Sequence, residues 1–170
     1  MQDRGDVLTP SGAQMTSGDK SAPSIHATAV LVGAKAVIIR GPSGVGKSRL
    51  AWALLEAARL GTLSFARLVG DDRVELEARH GRLLVRPAPG LAGLLEIRGV
   101  GICRLPYEPV AVADRVIDLG AEDAERLPLP AAGQTVLDGI RLLRLAIAPK
   151  ADPWPIVMAD LNGGLRPSAP

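Results

Sequence analysis

Gly41-Pro42-Ser43-Gly44-Val45-Gly46-Lys47-Ser48 is the stretch that decides how this chain is read. A strand-like run at 35–40 precedes it and a helix-like run at 49–60 follows, the context that separates a phosphate-binding loop from a chance match. The glycines let the backbone turn tightly and aim its N–H groups inward, where they and the positive end of the helix can hold a triphosphate. In that reading Lys47 reaches the β- and γ-phosphates, and the Ser48 hydroxyl is a ligand to Mg2+. A glycine-rich turn with a solvated lysine is the simpler alternative, but it leaves the flanking strand and helix and the serine without explanation.

Composition bounds what surrounds the loop. With 170 residues, 47% of them hydrophobic, the chain is the size of one α/β domain with a substantial core. A formal charge of +2 arises from 20 basic and 18 acidic residues spread along the chain. No basic stripe or aromatic stacking platform is visible, so no nucleic-acid partner is expected. Cys103 is the lone cysteine; it excludes an intramolecular disulfide and a thiolate cluster, fits a reducing compartment, and reads most simply as a small core residue. No apolar run approaches the roughly 18–20 residues of a membrane span, and residues 1–20 are too polar and acidic for a signal peptide. A cytoplasmic protein with no membrane contact is expected.

Residues 1–23 and 166–170 lack apolar periodicity and are expected to be a disordered tail and a flexible end, leaving 24–165 as the catalytic domain. Apolar runs at 27–32 and 35–40, separated by Gly33-Ala34, predict a tight hairpin whose second strand carries the phosphate loop. This departs from the usual placement after a strand in a parallel sheet. Further strands are expected at 66–70, 74–77, 82–86, 115–119 and 140–148, around one helix.

The 66–70 strand ends in Asp71-Asp72. If it lies beside the phosphate-loop strand, Asp71 can hold Mg2+ or its waters while Asp72, pointing elsewhere, takes a proton from an attacking hydroxyl. A solvated turn, with Asp72 pairing with Arg73, is the alternative. Glu96-Ile97-Arg98-Gly99-Val100-Gly101-Ile102 is the second unusual segment. Glu96 and Arg98 on one face of an extended chain could put a carboxylate on metal and a guanidinium on phosphate, and an edge strand with a surface ion pair explains them equally well.

Together, the loop at 41–48, the Leu68-Val69-Gly70-Asp71-Asp72-Arg73-Val74 segment and the Glu96–Ile102 heptapeptide resemble HPr kinase/phosphorylase in order and spacing, over roughly 24–150. The resemblance implies a P-loop kinase domain with a mixed sheet and few helices, similar to the nucleotide-binding domain of phosphoenolpyruvate carboxykinase. It also implies an HPr serine kinase using ATP and Mg2+, acting on a serine of the phosphocarrier HPr of the phosphotransferase system, and a homo-oligomer, a hexamer in that family. It assigns Gly41, Pro42, Ser43, Gly44, Val45, Gly46, Lys47 and Ser48 to ATP, Ser48 and Glu96 to Mg2+, and Asp72 to the base. Lys47 and His26 complete the catalytic set, with Arg126 matched through Glu125-Arg126-Leu127. Arg98, Gly99, Gly101 and Lys150 fall in the segments that face phosphate and substrate.

Three departures from the family pattern stand out. Only a short polar stretch precedes His26, which reads as a short form lacking the usual amino-terminal domain. After Pro149-Lys150 the chain reads Ala151-Asp152-Pro153 where the family has Gly-Arg-Asn, so phosphorylase activity is in doubt, unless Arg141 or Arg144 has taken over the phosphate. Little of the terminal helical region follows Met158. Two readings from other classes stay open: a P-loop kinase for a small molecule, and an ATP-binding signalling module that transfers nothing.

Overall fold

The computed structural model describes residues 24–162. The expected tails at 1–23 and 166–170, and the last residues of the expected catalytic domain, lie outside the described residues.

The predicted hairpin is present. β2 (Thr28–Val32) and β3 (Lys35–Arg40) pair antiparallel with Val30 opposite Val37, and Gly33 turns the chain at φ +59°, a left-handed conformation that costs glycine nothing. Side chains alternate along β3: Val37 and Ile39 join one buried cluster, Ala36 and Ile38 the other, as the two-residue period of a strand requires. On its second side β3 pairs parallel with β9 (Ala111–Leu119). The phosphate-loop strand therefore has one antiparallel and one parallel neighbour, so the departure from the usual parallel placement is partial.

The rest of the sheet wraps around on itself. β1 (Ser24–His26) runs through Ala27 into β2, and β4 (Ala66–Gly70) runs through Asp71-Asp72 into β5 (Arg73–Arg79). These two composite strands pair antiparallel, with His26 opposite Arg73 and Ala29 opposite Gly70. β5 continues the ladder to β6 (Arg82–Pro87), β6 to β9, β9 to β3, and β3 back to β2. The strands thus form a closed ring, and Ala27, Ala29, Ala36, Ala111 and Ala113 in its interior cluster keep it narrow.

β6 takes the first half of β9, and β11 (Ile140–Ile147) pairs parallel with the second, next to β10 (Gln134–Leu137). β7 (Leu94–Ile97) and β8 (Gly101–Arg104) form a separate hairpin. On the outer face, α1 (Lys47–Arg59) buries Leu50, Ala51, Leu54 and Ala57 at helical spacing against Val30, Val37, Ile39, Leu68, Ile117 and Leu119.

Two expectations are corrected. Among the described residues there are two α-helices rather than one, since α2 (Pro153–Leu161) also packs on this face through the fully buried Val157. Proline breaks a helix interior but is tolerated in a first turn, where Pro153 and Pro155 stand and the N–H groups have no helical partner. β4 is also not beside β3, because β2 lies between them. No helix among the described residues is long and apolar enough to cross a membrane.

Candidate nucleotide and acidic site

The loop leaves the carboxyl end of β3, and its glycines are required by geometry. A Cβ on Gly41 would stand 2.4 Å from the Leu119 carbonyl oxygen, closer than any side chain can approach. Gly46 caps α1 in a left-handed conformation, φ +106°, with no side chain on the first-turn N–H groups. Those N–H groups, with the helix dipole behind them, are what an anion needs. Lys47 is only 7% exposed, and its Nζ donates to the carbonyl oxygens of Gly41 and Pro42, each at 3.1 Å. Burial lowers the Lys47 pKa, and Asp71 and Asp72 push it back up.

The adjacent acids occupy opposite environments. Asp71 is buried and accepts from three elements at once. The Thr28 hydroxyl donates at 2.6 Å, Ser48 Oγ lies 2.9 and 3.0 Å from the two carboxylate oxygens, and the Glu96 N–H donates at 3.2 Å. Although β4 is one strand removed from β3, α1 brings Ser48 to this carboxylate. Hard oxygens from Asp71 and Ser48, beside a loop that suits phosphates, are a donor set that fits Mg2+, which binds few protein ligands and takes the rest from phosphate and water. Among the described residues no three His, Cys, Asp or Glu side chains gather into a cage of their own.

Asp72 turns outward. It adopts φ +65°, its side chain is 69% exposed, and its Oδ1 lies 3.6 Å from His26 Nε2. The alternative of an Asp72–Arg73 turn pair is not seen, because Arg73 donates to Ser24 at 2.7 Å instead. The divergence follows from a bend in the ring seam: Asp71-Asp72 faces Ala27-Thr28 between two paired stretches, and the left-handed backbone at Asp72 turns its side chain away from that of Asp71.

The Glu96–Ile102 segment is a hairpin rather than one extended strand. Glu96 ends in β7, whereas Arg98, Gly99 and Val100 form the turn, so Glu96 and Arg98 do not share a strand face. The backbone of Glu96 is tied to Asp71 while its side chain is exposed. Arg98 reaches the loop: its Nη2 would lie 3.8 Å from a Cβ on Gly44. Arg126 lies in the exposed segment between β9 and β10 and makes no ion pair among the described residues. Lys150 follows β11 at φ +66°, on the edge from which the parallel strands β3 and β9 also leave. Asp152, two residues on, caps α2 by accepting from the Trp154 N–H at 3.1 Å.

Ion pairs that the sequence reading missed surround the loop's entry. Arg40, immediately before Gly41, makes two 2.8 Å hydrogen bonds to Asp118. Arg144 donates to Asp118 at 2.7 Å and to Asp123 at 2.6 and 2.8 Å. Arg144 is thus already engaged by two carboxylates, and Arg141 sits at the opposite, amino end of β11. Cys103 is half-buried in the separate hairpin and is no core residue.

Comparison with known proteins extends these observations. Over 80 residues the chain is 48% identical to the HPr kinase/phosphorylase of Limosilactobacillus reuteri, a match covering 46% of this chain and 23% of that protein. It is 44% identical over 80 residues to that of Streptococcus thermophilus, covering 46% and 24%. The matched stretch thus spans about a quarter of these curated relatives. The solved Hpr(Ser) kinase/phosphatase of Coxiella burnetii superposes with a TM-score of 0.66 at 20% identity, covering 83% of this chain and 88% of that one, which establishes a shared fold. The family model for the HPr serine kinase C-terminal domain matches residues 20–107, just over half of the chain; the chain belongs to that family.

Proposed function

We propose that this protein is an ATP-dependent serine kinase acting on the HPr phosphocarrier. The observation that carries the reading is the split between the two acids. One carboxylate is tied to the phosphate-loop serine; its neighbour is exposed beside a histidine. A protein that only bound nucleotide would need the first alone.

The loop amides and Lys47 hold the triphosphate of ATP, with Ser48, Asp71 and Glu96 available to Mg2+. The cation, when bound, offsets the charge on the β- and γ-phosphates. Asp72 orients the serine hydroxyl and accepts its proton, and His26 holds that carboxylate in place. Arg98, beside Gly44, supplies positive charge at the transferring group. Exposure of Asp72 supports a substrate presented on a protein surface, for which the glycines at 99 and 101 leave room.

The forward direction is favoured. Removing phosphate from phosphoserine requires inorganic phosphate to be held and aimed, and of the family's loop only Lys150 remains as a cation here. The test is to incubate the chain with γ-labelled ATP, Mg2+ and HPr, then with serine-phosphorylated HPr and phosphate. Label on an HPr serine, with pyrophosphate release at least tenfold slower than transfer, is the expected result. Bound ATP with no label on HPr would overturn the kinase reading.

A further inference from the structure

We infer that Asp123, Arg144, Asp118 and Arg40 form an ion-pair relay that ties the segment at 121–133 to the strand end that walls the phosphate loop. The inference rests on the reading of 41–48 as the nucleotide site. None of the four residues belongs to the loop or to the acidic pair, and each contact is a charge-assisted bond in near-ideal geometry.

The relay crosses three neighbouring strands. Arg40 closes β3 and is followed at once by Gly41; Asp118 lies opposite it on β9; Arg144 comes from β11. At its outer end Asp123 belongs to the segment that carries Arg126. Asp118 and Arg144 are the inner pair, with side chains 14% and 15% exposed, whereas Asp123 is 62% exposed. The inner carboxylate is therefore clamped by two guanidiniums, and the outer one ties a surface segment to that clamp. Backbone packing makes the position matter. The Leu119 carbonyl abuts Gly41, and a Cβ on Gly120 would lie 3.3 Å from Val45 Cγ2. A shift of the strand end that carries Asp118 is thus a shift of one wall of the loop. A surface ion pair alone is worth little, but a network anchored on a largely buried carboxylate, with both arginines in forked geometry, holds its members in register.

Four variants of the full chain separate this role from plain structural support. Amide exchange is read at Ala121 and Ala124, which donate to Ile147 and Ala121 carbonyls, and at Val45, which donates to Pro42. Asp123→Asn should speed exchange at Ala121 and Ala124 about tenfold and leave Val45 and the Kd for Mg·ATP within threefold. Arg40→Gln should do the reverse, speeding Val45 and weakening Mg·ATP about tenfold. Arg144→Gln should loosen both ends, and Arg144→Lys should recover part of the loss. In the phosphotransfer assay Asp123→Asn should lower kcat about tenfold with little change in ATP KM. If Arg144→Gln does not fold, the two end variants decide alone. Unchanged exchange at both ends in folded variants, or loosened ends with unchanged kcat, would overturn the relay. If the parent chain transfers nothing to HPr, the kinase proposal fails separately, and exchange with Mg·ATP affinity still decides the relay.

Discussion

Replacing each of the two adjacent aspartates by asparagine should have opposite consequences. Asp71 accepts from Thr28, Ser48 and the Glu96 N–H. An asparagine there can keep its oxygen toward Thr28 and Ser48, but its amide then meets the Glu96 N–H, donor against donor. Losing one hydrogen bond to a charged acceptor costs about 1.5–3 kcal/mol, and the bonds that remain lose their charge assistance. We therefore expect Asp71→Asn to lower stability by about 2–3 kcal/mol, a large part of the roughly 5–15 kcal/mol of a typical domain, and to raise the Mg2+ concentration needed for activity. Asp72 has its carboxylate in solvent and a left-handed backbone, φ +65°, which asparagine tolerates well. Asp72→Asn should change stability by no more than about 0.5 kcal/mol while slowing transfer roughly 10²–10⁴-fold, the usual cost of a lost general base. Urea unfolding and single-turnover transfer over a Mg2+ titration measure both quantities. Equal stability losses, or two activity defects both repaired by Mg2+, would refute the assignment of separate roles.

Lys47→Ala should abolish detectable ATP binding by calorimetry while leaving the circular dichroism of the fold intact. Because burial lowers the Lys47 pKa and phosphates favour its protonated form, ATP affinity of the native chain should fall as pH rises through a value below the ordinary 10.5; Lys47→Arg should remove that fall. Gly41→Ala should destabilise by more than the about 1–3 kcal/mol of an unfavourable backbone region, since its Cβ meets Leu119. Gly99→Ala, at φ +85° with open space around it, should cost only about 1–2 kcal/mol; urea midpoints compare the two. Burial pushes the Asp118 pKa up, but bonds from Arg40 and Arg144 outweigh it and hold the carboxyl below its ordinary value of 3.8. Its contribution to stability is present above that value and is lost as pH falls further, so acid unfolding monitored by fluorescence should flatten below about pH 3.8 in Asp118→Asn.

Much of this was legible in the chain because local chemistry determined it. Two short apolar runs at 27–32 and 35–40 around Gly33-Ala34 could form little else but a hairpin, and a glycine loop ending in Lys47-Ser48 before an apolar helix has few other uses. Partners far apart in sequence were not legible. Nothing in Thr28 announces that it donates to a carboxylate 43 residues away. The signal for Arg40 and Asp118 exists only once β3 and β9 are known to pair, since each is a charged residue at the end of an apolar strand. Arg98 was misplaced because two glycines in an apolar run suit a turn as well as a strand. α2 was hidden by Pro153 and Pro155, whose effect depends on where the helix begins.

The closed ring has a bearing on how the site is assembled in time. Its seam joins residues 24–32 to 66–75, a contact whose formation must draw in the chain between them at a cost in closure entropy, so late closure is expected. Asp71 and Asp72 lie in the seam itself. A slip of one residue there would turn the paired side chains to the other face and take the Asp71 carboxylate away from Thr28 and Ser48. A misregistered molecule would look nearly native to any probe of secondary structure and yet carry its acid groups on the wrong sides. Only a chain that has closed in the right register has a carboxylate beside Ser48 and another within reach of His26, so chemical competence itself certifies that folding is complete.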